Sequence, residues 1–344
     1  AAWAEGSTLK LQHVDETGKK VGSSSSKNLG FEVRAVGVAG HGNGYGAVVA
    51  RKAVSGHELN LLRTDTSLNQ QGTVKSVDAN ATGRIGGVSI VNKASTAWLV
   101  YSFEKAGGGH IIKAAAVNLS NGNVSTSPFR VSKSGQTLPK AGLPEIAIVG
   151  GTPTVVWWDA GNSKVRGARI SGGMAMGQDR FSAGVNAANK FDAEAMEIVA
   201  SNGKAGVIFP DYTMSGKAAL KYLSVGAGQT GSVMGAKALT GTSKVNRQPT
   251  ASAVDTDGDG TADRLLVVWA QGNTNDPAIM VGQTSLGSPS MIGGKTVAKS
   301  FPDVPDLAVS GERSGMVWLN TSTRTSKDVK YAPLSIDGVG VCSP

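Results

Sequence analysis

Short apolar bursts, cut apart by Gly, Ser, Asn and Asp, run through the whole chain. Bursts of this length bounded by turn residues predict β-strands, and nowhere is the spacing of an amphipathic helix sustained. The strongest bursts share one order of residues: a β-branched pair, an aromatic, one further residue and then a polar one. They are VVWWD at 155–159, VIFPD at 207–211, VVWAQ at 267–271 and MVWLN at 316–320, with looser copies AAWAE at 1–5, VVARK at 48–52 and LVYSF at 99–103.

These copies recur about every fifty residues, and a period of that length decides a fold. After each comes a second burst that opens on an apolar residue, usually followed by a cation: LKLQHVD (9–15), LNLLRTD (59–65), IKAAAVN (112–118), VRGARIS (165–171), LKYLSVG (220–226), IMVGQTS (279–285) and VKYAPLS (329–335). A weaker polar strand such as NVSTSPFRVS follows. A short apolar strand then precedes the next aromatic unit: EVRAVGV, GGVSIV, PEIAIVG, AMEIVA, TASAV or PDLAV. Four short strands in each of seven repeats predict an all-β, seven-bladed β-propeller with four-stranded antiparallel blades. A parallel β-helix needs shorter repeats, and Ig-like sandwiches need about a hundred residues each.

The repeats fall near 1–30, 31–82, 83–140, 141–190, 191–245, 246–302 and 303–344, within a single propeller domain. The aromatic column reads Trp3, Ala50, Tyr101, Trp157, Phe209, Trp269 and Trp318, with a vacancy at Ala50. It is expected to fill the seams between blades, each ring burying about 150–250 Å². The first repeat begins at its second strand and the seventh ends on GVGVCSP, so about twenty-seven strands are expected, with the first or last blade incomplete. Such a blade either stays three-stranded, or lost residues before Ala1, or takes an edge strand from another chain, an inter-chain contact.

Composition agrees with strands joined by tight turns: 47 glycines, 40% hydrophobic and 17% charged residues. No apolar run is long enough to span a membrane as a helix, so no membrane span is expected. The start at Ala1-Ala2-Trp3 fits a mature product cut after a small-residue site. Cys342 is the single cysteine. It excludes an internal disulfide framework and is expected to be inert in a terminal tail. The net charge of +9 permits contact with polyanions without choosing among them.

One loop breaks the basic pattern. VDTDGDGTAD at 254–263 sets Asp255, Asp257, Asp259 and Asp263 at positions 1, 3, 5 and 9 of a D-x-D-x-D-G-x-x-D frame, with Gly260 at position 6 and the Thr261 carbonyl at position 7. Alternate side chains then converge on a hard cation while the glycine turns the backbone sharply. Without a cation, carboxylates this close repel. An EF-hand needs a bidentate Glu at position 12 and flanking helices, but position 12 is Leu266 and the flanks read as strands. Over residues 254–271 the loop resembles the calcium-binding hairpin loops of integrin-α-like (FG-GAP) propellers. That resemblance implies calcium as cofactor, held by Asp255, Asp257, Asp259, Thr261 and Asp263, bracing a blade without performing chemistry. At free calcium a hundredfold above Kd, the bound ion would stabilise the fold by about 2.7 kcal/mol.

Strand order sorts the turns onto two faces. The blade-to-blade turns carry Arg84, Lys133, Lys140, Lys190, Lys244, Arg247 and Lys299, and the central turns Lys164, Lys217 and Arg324, whereas the calcium face holds Asp15, Glu16, Asp65 and Asp337. A basic mouth of this kind attracts an acidic glycan or another polyanion. Nucleic acid is not expected, because the loops have few aromatics on which bases could stack. Sialidase turns and WD, kelch or quinoprotein signatures are missing. Asp159, Asp211 and Glu5 end second strands at the mouth, where a carboxylate pair could cleave glycosides. His57 or His110 with Tyr212 could serve a lyase. The expectation is a secreted or surface-exposed, calcium-stabilised binding or adhesion module, extracellular or periplasmic, for an acidic polysaccharide or a partner protein. The alternative is a polysaccharide-active enzyme, lyase or glycoside hydrolase, on the same scaffold.

Overall fold

A computed structural model describes the chain except residues 16–18, 54–55, 80–82, 107, 134–142, 160–161, 185–195, 202, 214, 227–230, 234, 258, 260, 273–275, 287, 291, 300–301, 311–312, 324–325, 336–339 and 342–344. Cys342, Lys140, Lys190 and Arg324 therefore lie outside the described residues. The chain is an all-β, seven-bladed β-propeller, and no α-helix occurs among the described residues. Its strands gather in two compact units, blades one to four chiefly in the first and blades five to seven in the second.

In the first unit, blade one is β1 (Ala2–Glu5), β2 (Thr8–Val14) and β3 (Lys20–Asn28), a three-stranded sheet, as the missing opening strand requires. Blade two is β4 (Val33–His41), β5 (Gly44–Ala53), β6 (Gly56–Thr64) and β7 (Lys75–Asp78). Blade three is β8 (Arg84–Lys93), β9 (Thr96–Glu104), β10 (His110–Asn118) and β11 (Val124–Arg130). Blade four is β12 (Glu145–Val149), β13 (Thr152–Asp159), β14 (Lys164–Ser171) and β15 (Met174–Gly184), whose edge also receives the short parallel β19 (Gly231–Ser232).

The second unit holds blade five, β16 (Glu197–Ser201), β17 (Lys204–Tyr212), β18 (Ala218–Gly226) and β20 (Lys237–Ala238). Blade six is β21 (Asn246–Val254), β22 (Arg264–Gln271), β23 (Ala278–Ser285) and β24 (Lys295–Ala298). Blade seven is β25 (Pro302–Ser310), β26 (Arg313–Thr323), β27 (Ser326–Ser335) and β28 (Gly340–Val341). Every blade is an antiparallel meander, as short turns between consecutive strands dictate.

The middle strands are apolar on both faces because each sheet is covered twice. Tyr101, Trp157 and Trp269 are buried, each among residues of the preceding blade: Tyr101 with Leu59 and Leu61, Trp157 with Val100 and Ile112, Trp269 with Ile208 and Leu220. Gly294 makes room for one of them, since a Cβ there would stand 2.5 Å from the Trp269 ring.

The vacancy at Ala50 proves to be a one-residue slip in the alignment. Trp157 pairs with Arg166 and Tyr101 with Lys113, whereas the partner of Asn60, at the corresponding place on β6, is Val49. Val49 points into the seam with Leu9 and Leu11 of blade one, and Ala50 faces the other way, toward blade three. A one-residue shift in a strand exchanges its two faces.

Candidate functional site

Carboxylates occupy two kinds of strand position, and their surroundings differ. The first kind closes the second strand of a blade. Asp159 is fully buried and accepts from Arg166 Nε at 2.6 Å and Asn162 Nδ2 at 2.8 Å. Asp211, also buried, is paired with Lys221. Glu5 accepts from Lys10 at 2.6 Å and from Trp3 Nε1 at 3.0 Å, and the Lys10 hydrogen bond, followed by that of Trp3, lowers its pKa. The cation after the apolar residue on the third strand is thus the counter-ion of an acid one strand away. Blade two reverses the sign, with Arg51 bonded to Glu58 at 2.7 Å.

Asp78 extends the scheme across a seam. It ends β7 of blade two and accepts from the Tyr101 hydroxyl and Lys113 Nζ of blade three, both at 2.5 Å. Burial, and then the Asp78 charge, raise the Tyr101 phenol above its ordinary pKa, so it remains a donor. These acids are consumed by structure. Asp159, Asp211 and Glu5, the pair candidates of the sequence, hold cations of their own blades.

The second kind stands on the first strand, the one that borders the channel in a propeller. Opposite the residue that precedes the aromatic column, register pairing places Glu145 with Val156, Glu197 with Ile208 and Asp306 with Val317. Blades three and six have Ser89 and Thr250 at this register, and blade two has Gly37. Glu197 accepts the Ile198 amide at 3.2 Å, and Asp306 the Leu307 amide at 2.9 Å. Solvent reaches the Asp306 side chain, yet protein atoms crowd it. Crowding raises its carboxyl above the usual range, and the Leu307 hydrogen bond opposes that only in part. These acids were present in the strings PEIAIVG, AMEIVA and PDLAV, where aligning the first strands reveals the column.

In the second unit, β21 packs beside both β16 and β25. Near its start the ladder of β21 shifts register between Arg247 and Thr250, a bulge over Gln248 and Pro249. Proline cannot donate to a ladder and is tolerated on edge strands and at bulges. Gln248 takes φ +50°. The bulge is anchored by Asn246, whose Oδ1 accepts from Trp269 Nε1 at 2.9 Å and Gln271 Nε2 at 2.8 Å while its Nδ2 donates to Ala218 O at 2.8 Å.

The aspartate loop joins β21 to β22, as its frame implied. Ligand oxygens of Asp255, Asp257 and Asp259 lie within 4.8 Å of one another. Each of these carboxylates accepts an amide two residues ahead: Asp257 N to Asp255 and Asp259 N to Asp257, both at 3.3 Å, and Thr261 N to Asp259 at 2.7 Å. The Asp259 amide favours the Asp257 carboxylate, but the Asp255 side chain and the Asp259 charge outweigh it and raise the Asp257 pKa. Asp263 is turned elsewhere. It accepts from Thr256 N at 2.8 Å and Thr256 Oγ1 at 2.9 Å, closing the base of the loop.

Arg84, Lys133, Lys217 and Lys299 are exposed in separate blades or turns, Lys164 opens β14, and Lys244 is paired with Asp276 at 2.9 Å. His57 is engaged by the Ile85 amide, which donates to Nδ1 at 2.9 Å, and Tyr212 is buried at the end of β17.

No family model and no curated protein sequence matches the chain. Solved structures do. The α-L-arabinofuranosidase Arb93A from Fusarium graminearum, in complex with an iminosugar inhibitor, matches with TM-score 0.56 at 10% identity over 89% of this chain and 94% of that one. A mutant of the same enzyme, also with an iminosugar inhibitor, matches with TM-score 0.58 at 10% identity over the same shares. A looser likeness, TM-score 0.42 at 10% identity over 85% of this chain and 90% of that one, is to an endo-arabinase from Bacteroides thetaiotaomicron. The expectation of a binding or adhesion module is corrected by these neighbours: Arb93A and its mutant, which share this fold over most of the chain, are arabinofuranosidases, enzymes rather than adhesion modules.

Proposed function

We propose that the protein is a glycoside hydrolase whose reacting carboxylates stand on the first strands of its blades. The observation that carries this reading is the acid column at one register, Glu197 and Asp306 in the second unit and Glu145 at the same register of its own blade. Glycoside hydrolysis needs two carboxyl groups of unlike environment, one to protonate the leaving oxygen and one to act as base or nucleophile. Asp306, with its raised carboxyl, is suited to the acid. Glu197, two blades away with β21 of blade six between, supplies the second group. Asp306 gives its proton to the glycosidic oxygen as the bond to the anomeric carbon breaks, and the water whose oxygen bonds to that carbon gives up a proton to Glu197, leaving a free reducing end. Arb93A is support by architecture: the same fold can carry such chemistry.

The aspartate loop is a separate, structural element in this reading. Its all-oxygen donor set suits calcium, which Asp255, Asp257 and Asp259 would hold together with the Thr261 carbonyl, while Asp263 stays bonded to Thr256 at the base of the loop. Bound calcium would relieve the repulsion that raises the Asp257 carboxyl. Calcium-rich surroundings outside the cytoplasm agree with such a brace.

Arabinan- and xylan-derived oligosaccharides, assayed for released reducing ends, test the function. Cleavage should fall as pH rises through the raised Asp306 value, because the proton donor is then lost. Glycans left intact at every pH would reject the reading.

A further inference from the structure

We propose that the saccharide hydrolysed by this protein carries an anionic substituent, a uronate carboxylate or a sulfate ester, held by Arg247 and Gln248 at the bulge of β21. This rests on the glycoside hydrolase reading and names its substrate class. Arg247 is half-buried, and its buried Nε has no acceptor among the described residues. Gln248, the next residue, has a buried Oε1 without a donor among them, so these two atoms do not satisfy each other. Arg51 is matched by Glu58, Arg166 by Asp159 and Arg130 by Ser132, and Arg169, which also has a buried Nε without an acceptor, is engaged through another contact. Burying a guanidinium N–H without an acceptor is unfavourable, and leaving a buried amide oxygen unpaired adds to the cost.

Three features point to a ligand as the compensation. The bulge is on a first strand, between the strands that carry Glu197 and Asp306. Its backbone is strained at Gln248, φ +50°, and the Asn246 network fixes it rigidly. Strained, well-anchored bulges are found where a side chain is aimed at a ligand. The chemistry is also complementary. A planar guanidinium takes a carboxylate or sulfate through paired N–H donors, and a free amide oxygen takes a sugar hydroxyl. The net charge of +9 favours approach of an anionic chain.

The test is calorimetric binding to the slow variant Glu197→Gln, with hydrolysis by native protein in parallel. The probes are an oligogalacturonide with its carboxyl-reduced form and a sulfated galacto-oligosaccharide with its desulfated form. At least one anionic probe should bind tenfold or more tightly than its neutral counterpart. Adding Arg247→Gln should remove that preference, and Arg247→Lys, which keeps the charge and loses the fork, should retain part of it, both with unchanged melting. Preference within the uronate pair assigns the carboxylate, and within the sulfate pair the sulfate ester. Equal binding of anionic and neutral forms, or a preference that survives Arg247→Gln, overturns the inference. Anionic and neutral probes cleaved equally well by native protein, with no loss on the anionic probe in the Arg247→Gln single variant, would overturn it while leaving hydrolysis standing. Anion preference without cleavage of any probe would retain the anion site and reject hydrolysis.

Discussion

Asp159 on β13 and Asp306 on β25 are both carboxylates on propeller strands, and the protein treats them oppositely. Asp159 is sealed from solvent and tied to Arg166 and Asn162, so its charge is matched by its own blade. Asp306 is open to solvent, bonded to the Leu307 amide, and crowded enough to raise its carboxyl above the usual range. The difference follows from strand position. A second strand is covered by neighbours on every side, and an acid there must bring a counter-ion. A first strand is a sheet edge, where an acid can meet a substrate.

That contrast is most sharply broken by exchanging the two roles in variants. Glu197→Gln or Asp306→Asn should lower the rate of glycoside cleavage on the order of 10²–10⁴-fold with melting almost unchanged. Asp159→Asn should do the reverse, costing about 3–5 kcal/mol of stability by leaving Arg166 uncompensated, while the activity of the remaining folded protein persists. Chemical denaturation together with rate per folded molecule separates the two. The double variant Asp159→Leu with Arg166→Met should recover most of the loss, since an apolar pair of similar volume replaces a buried ion pair at little net cost.

Calcium removal sharpens the same division in the second unit. Chelation should lower Tm by about 4 °C if the ion is near saturation beforehand, with the rate below the melt unaffected. Metal analysis of the purified protein should find the ion before chelation and not after.

The smallest effect concerns His57. Burial lowers its pKa from 6.5 more than the contact of Nδ1 with the Ile85 carbonyl raises it. A lowered value means the neutral ring is the native form. Its contribution is therefore present above the ordinary pKa and lost as pH falls through the lowered one. Melting measured across that acid range should decline less in His57→Gln than in native protein.

The blade count was legible because aromatic seams and turn clusters repeat strongly. VVWWD, VIFPD and VVWAQ leave little freedom in where second strands lie. The alternate spacing of the aspartates was legible, and three of them do converge. Val49 was misread as Ala50 because VVARK has no aromatic to fix its register, and an apolar pair fits either face. Lys113 and Asp78 could not be matched from sequence, since their bond crosses a seam between blades. Glu145, Glu197 and Asp306 escaped notice for another reason: Ser89, Thr250 and Gly37 interrupt their column, and a single acid in a short strand looks like any solvent-facing residue.

Release of reducing ends from uronate-bearing and neutral oligosaccharides, by native protein beside Asp306→Asn and Asp159→Asn, bears most directly on the division between edge and interior acids. Native and Asp159→Asn protein should cleave at similar rates per folded molecule while Asp306→Asn, equally well folded, does not. Cleavage that survives in Asp306→Asn and vanishes in folded Asp159→Asn would contradict it.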